Sequence, residues 1–163
     1  MAEPFRLQVL MKLTDLLKTI TPANGFRFDF SDSVFRGRTK FGPNDPLPML
    51  SILEAPIPLD QLDSAPEYGH SSARWELLIQ GFCSDDIDNP TDPAHRLMAE
   101  VKQVLIEDRK KDRGHNILGM GGRVAQMSIG QGAVRPADEA SDKGFFWLTV
   151  TLHIVEDLSK PYD

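Results

Sequence analysis

Residues Arg74 to Gly114 read RWELLIQGFCSDDIDNPTDPAHRLMAEVKQVLIEDRKKDRG, and three signals follow one another there. Trp75, Leu77, Ile79 and Gly81 alternate with Glu76, Leu78, Gln80 and Phe82, a period of two that predicts a strand from Arg74 to Cys83. Leu78 and Phe82 make its second face partly apolar too, so the strand is expected at a central position. An Asp/Asn/Pro turn follows. Ala94, Leu97, Met98, Val101, Val104 and Leu105 then recur at helical spacing, predicting a helix from Pro93 to about Asp112. Thr91 or Asp92 supplies a cap, and Pro93 suits the first turn. Arg109, Lys110 and Lys111 oppose the negative helix end, and Gly114 follows them.

The same period rules order the flanks. Pro4 to Ile20 is predicted as a helix, with Val9, Leu10, Leu13, Leu16, Leu17 and Ile20 on one stripe. Pro22 and Gly25 stop it. Phe26, Phe28 and Phe30 alternate with Arg27 and Asp29, a strand signal, and Val34 to Thr39 reads as a second extended piece. Met49 to Glu54 is a short strand. Ala55 to Ala73 holds three prolines and no usable period, so it is expected as a long irregular loop of the contact kind. Arg123 to Ile129 reads as a strand, Val134 to Gly144 as a polar loop, and Phe145 to Glu156 as a closing strand. The expected order is α-β-β-β-β-α-β-β. That order fits an α+β fold, a mostly antiparallel mixed sheet covered by two helices with a long irregular loop.

At 163 residues the chain reads as one domain, able to bury a core without disulfides or metal. Its formal charge of −6 argues against a dedicated nucleic-acid binder. No apolar run approaches a membrane span, and the first residues lack the basic-then-apolar pattern of a secretory signal. Cys83 is the single cysteine and reads as a small buried hydrophobe.

Candidate chemistry is sparse. Asp85, Asp86, Asp88 and Asp92 are hard-cation ligands by type, but they lack the spacing and closing glutamate of a calcium loop and read as turn and cap residues. Gly119, Gly121, Gly122, Gly130 and Gly132 follow a helix and flank a strand, the wrong context for a phosphate loop, so they read as turns or bulges. His70, His95, His115 and His153 form no metal spacing. Neither catalysis nor a cofactor is expected. Arg36, Arg38 and Lys40 form the basic cluster, readable as a phosphate contact, as a solvated strand edge or as a contact to an acidic neighbouring subunit. Phe145 and Trp147 fall on the second face of the last strand, where they mark either an interface or a surface beneath a further layer.

Several segments in order resemble the tail terminator (tail completion) proteins of long-tailed bacteriophages. These are the leading helix, Val34-Phe35-Arg36-Gly37-Arg38, Leu47-Pro48-Met49-Leu50-Ser51-Ile52-Leu53-Glu54, and Trp75-Glu76-Leu77-Leu78-Ile79-Gln80-Gly81. Asn89-Pro90-Thr91-Asp92-Pro93-Ala94-His95 opens the main helix, and Phe146 to Glu156, Asp157-Leu158 and Pro161-Tyr162 complete the match. The resemblance implies a structural virion protein, assembled in the host cytoplasm and resident at the neck end of the tail. Six copies would form a ring that caps the head-proximal end of the tail tube, stops its polymerisation and meets head or neck completion proteins. DNA would pass through the lumen without specific binding, with no membrane, metal or cofactor involved. The contact regions it suggests include the 55–73 loop, with Tyr68 and His70.

Overall fold

The structure, a computed structural model, describes residues 2–55, 69–137 and 143–163. Its order is α1 (Phe5–Lys18), β1 (Val34–Arg36), β2 (Met49–Glu54), β3 (His70–Cys83), α2 (Asp92–Lys110), β4 (Val124–Ile129), β5 (Ala133–Arg135) and β6 (Gly144–Asp157). The fold is α+β, as expected. The sheet runs β1-β2-β3-β6-β4, with β5 also on β6, and only the β1–β2 pair is parallel.

The two long strands are the frame. β3 and β6 pair antiparallel along their whole length, from His70 opposite Asp157 to Cys83 opposite Gly144. Strand alternation sends Leu77, Ile79 and Gly81 to the same face as Phe146, Leu148, Val150, Leu152 and Ile154. These β6 residues have no exposed surface, and neither have Leu77 and Ile79. Val9, Leu13 and Leu17 of α1 and Ala94, Leu97, Val101 and Leu105 of α2 join them in one core, so both helices cover one face of the sheet. Gly81 stands where β6 presents Phe146: a Cβ there would enter the phenyl ring, and only glycine lets these strands pair in this register.

Sequence and structure part in four places. Phe26 to Phe30 is not a strand. Its aromatic residues do turn inward, Phe30 completely, but the backbone amides of Arg27 and Phe28 donate to the Glu100 carboxylate of α2, and that of Phe30 to the Ile20 carbonyl. With its donors spent on α2 and the end of α1, the segment has no ladder to join. The second extended piece ends at Arg36, because Gly37 takes a positive φ of 68° and donates to Ile52. β3 begins at His70 rather than Arg74, shortening the expected loop, whose residues 56–68 lie outside those described. The supposed polar loop from Val134 opens with a strand, β5.

β4 and β5 form one edge strand in two pieces. β4 pairs with Val150 to Ile154, β5 with Phe145 to Trp147, and between them the Gly130 amide donates to the Thr149 carbonyl. A second irregularity lies between Val124 and Gln126. It explains how Val124 and Met127, three residues apart, both reach the core, since an extra residue shifts the side-chain parity. Gly130 and Gly132 therefore sit at a break in the edge, a device that blunts unwanted strand pairing, whereas Gly119, Gly121 and Gly122 lie in the turns before β4.

α2 ends where expected and caps differently. Thr91 is its N-cap residue but makes no side-chain cap bond, and Asp92 instead faces Arg96 at 3.6 Å. At the other end Arg109 donates to the Met127 carbonyl of β4. Asp108, 7% exposed, accepts the Leu118 amide at 2.8 Å. That bond holds Leu118 at a φ of 55°, a conformation costly for a leucine.

Candidate subunit-contact surface

The second face of the sheet carries Phe145 and Trp147, two of the residues singled out for contact. Across β3 and β6 it runs through the pairs Phe82–Phe145, Gln80–Trp147, Leu78–Thr149, Glu76–Thr151 and Arg74–His153. Its two ends differ. At the Phe145 end, Met49, Phe82 and Phe145 form a second small core with Phe35 and Phe41 packed on it. Phe41 and Phe82 rings lie 4.7 Å apart, and Phe82 and Phe145 6.1 Å. Phe145 is thus buried, 6% exposed, covered by aromatic side chains from β3 and the β1–β2 connection rather than by a helix. Trp147 packs against Phe145, ring centroids 5.3 Å apart and planes tilted by 55°, yet is 40% exposed, the outermost ring of the series. The pair is therefore split: Phe145 is buried without a covering helix, and Trp147 stays partly exposed.

The other end is polar. Arg74, Gln126, Ser128, Thr151 and His153 line a shallow depression, and His153 Nε2 lies 2.9 Å from Ser72 Oγ. Neither helix covers this face.

The basic cluster divides too. Arg38 pairs with Asp45 and lies over the Phe35 and Phe41 rings, 4.7 and 5.4 Å from their centroids. It therefore serves the second core. Asp45 also accepts the Gly42 amide, which with Arg38 holds its carboxyl below the usual aspartate range. Arg36 donates to Thr14 Oγ1 of α1 at 2.9 Å and remains exposed, as does Lys40. Tyr68 lies outside the described residues, and so does the side chain of His70.

The acidic turn is a turn. Asp86 Oδ1 accepts the amides of Asp88 and Asn89 at 2.9 and 2.8 Å, which closes the chain direction between β3 and α2. Among the described residues no three His, Cys, Asp or Glu side chains are grouped to hold a metal ion. Cys83 is 2% exposed, and burial followed by the Asp85 charge pushes its thiol from 9.0 up to about 11, far from the ionised form a nucleophile needs.

Two surfaces escaped the sequence reading. Ile87, at the tip of the acidic turn, is 98% exposed. A cleft of about 490 Å³ lies between α1 and the β1 edge, lined by Leu7, Leu10, Arg36, Gly37, Thr39, Ile52, Leu53 and Glu54. The Asp86-Ile87-Asp88 sequence could have signalled the first, since an isoleucine between aspartates in a turn has no core to enter. The cleft joins segments distant in the chain and had no such signal.

No protein-family model matches the chain, and no curated protein matches it in sequence. Among the solved structures similar to it is one with a TM-score of 0.50 and 19% identity, over 91% of this chain and 92% of that one. A likeness at that identity concerns the fold, which many functions share.

Proposed function

We propose that this protein is a structural subunit of a phage tail, a terminator whose hexameric ring caps the head-proximal end of the tail tube. In this reading the ring stops tube polymerisation and joins the tail to the head or neck, without catalysis. The observation that carries it is the two-sided sheet. One face is sealed by both helices, while the other carries Trp147, packed on Phe145 and partly exposed, and a polar surface that neither helix covers. A face so divided suits contact with further copies or with a tube, offering an aromatic anchor at one end and polar groups at the other. The ordered resemblance to tail terminators supplies the identity of the assembly, and a charge of −6 suits a lumen that DNA passes without sticking.

Mass in solution and particle images, with and without tail-tube protein, test the reading. A terminator gives closed rings and shortens growing tubes. Long tubes from this chain alone would make it a tube subunit, and rings that leave tube growth unaffected would make it a head–tail adaptor. A strict monomer under all conditions overturns the proposal.

A further inference from the structure

Resting on the ring reading, we infer that Ile87 of one copy inserts into the α1–β1 cleft of the next copy. Ile87 is nearly fully exposed, and the segment presenting it is held by the two amide bonds to Asp86. A large apolar side chain on a fixed turn costs little ordering entropy when it docks. It is flanked by Asp85, Asp86 and Asp88.

The cleft offers the complement. Leu7 and Leu10 of α1 form one wall, and Ile52 and Leu53 of β2 the other. Met11, 39% exposed, lies one helical turn beyond Leu7. Arg36 stands in the lining with its guanidinium on Thr14 Oγ1 and with no carboxylate partner among the described residues. Glu54 is the one acid in the lining. An acidic turn must therefore approach with its aspartates toward Arg36 and away from Glu54, which fixes the direction of docking as well as favouring it.

The two surfaces belong to different parts of the subunit. The turn follows the last residue of β3, a central strand, whereas the cleft opens at β1, the edge strand two places away. A contact between unlike surfaces is head-to-tail, and head-to-tail contacts repeat around a ring. The occupant is thus a second copy of this chain, and the same contact recurs at every junction.

The test is the mass of the full chain in solution, by light scattering over a concentration series. Ile87→Glu should raise the midpoint concentration for assembly at least tenfold, with an unchanged melting temperature because the side chain touches no core. Asp88→Lys should weaken assembly, and adding Arg36→Glu to that variant should restore it. If the wild type assembles and Ile87→Glu assembles equally well, the contact is overturned while the ring reading stands. If Arg36→Glu fails to rescue Asp88→Lys, the docking direction is wrong. If the wild type itself never assembles, both fall.

Discussion

The two faces of the sheet are built from the same strands by opposite rules. On the covered face every β6 residue from Phe146 to Ile154 is sealed, and the two helices contribute a continuous apolar layer. On the other face burial comes from neighbouring side chains of the sheet and its connections: Phe41, Phe82 and Phe145 cover one another at one end, and Arg38 lies over two aromatic rings. The first arrangement depends on whole elements and resists local change. The second is a patchwork that grades into solvent at Trp147. Stability is therefore expected to reside on the first face and recognition on the second.

Adjacent residues of β6 offer the sharpest contrast. Leu148 has no exposed surface, whereas Thr149 is exposed on the opposite side. Leu148→Ala should lower the unfolding free energy by about 3 kcal/mol, through lost burial plus the cavity left between the helices. Thr149→Ala should change it by no more than about 0.5 kcal/mol. Urea denaturation of both variants checks the pair, and comparable losses would mean that the second face is covered far more than its exposure indicates.

A smaller effect tests how α2 is tied to the chain beyond the sheet. Glu100 accepts two backbone amides, from Arg27 at 2.7 Å and Phe28 at 3.2 Å. Glu100→Ala should cost about 1 kcal/mol, and Glu100→Gln, which keeps one acceptor oxygen, should cost less. Faster hydrogen exchange at the Arg27 and Phe28 amides in the alanine variant would locate the loss. Unchanged exchange would show that these amides are protected without the carboxylate.

The same residues show how far the sequence could be read. Both helices and the long strands were legible, because their apolar period persists over many residues and the α2 ends carry Pro93 and Gly114. The Phe26–Phe30 alternation correctly marked which side chains turn inward. Periodicity says nothing about where backbone amides find partners, however, and theirs is a glutamate more than seventy residues away. The fate of Phe145 and Trp147 was open for a related reason. Adjacent in spacing and alike in chemistry, they differ only because Phe82 and Phe41 arrive beside the first. Arg38, a contact candidate by composition, proved to be engaged by Asp45 and two phenylalanines, a grouping that depends on how the β1–β2 connection folds back. Ile87 belongs to no apolar period, so periodicity assigns it no face, and its exposure follows only from the turn that Asp86 closes.

Cys83 marks the limit of the covered face and gives the subtlest prediction. It is the last residue of β3, on the parity of Trp75, Leu77 and Ile79, and its Sγ lies 3.8 Å from the Gly144 carbonyl where β6 begins. Burial raises its thiol from 9.0 to about 11, so the folded chain keeps this proton over a pH range in which the unfolded chain loses it. With more protons bound in the folded state, stability falls as pH rises through that window and is unaffected by this group below it. Comparing wild type with Cys83→Ala isolates the effect from the rest of the chain. The stability difference between them should be flat from pH 6 to about 8 and should then shift against the wild type. Alkylation should report the same burial, with native Cys83 unreactive toward iodoacetamide at pH 8 and reactive once urea opens the sheet. Ready labelling of the native protein would mean that the strand ends at Cys83 and Gly144 open without global unfolding. The covered face would then stop short of the acidic turn, and Ile87 would be carried on a support less rigid than its hydrogen bonds suggest.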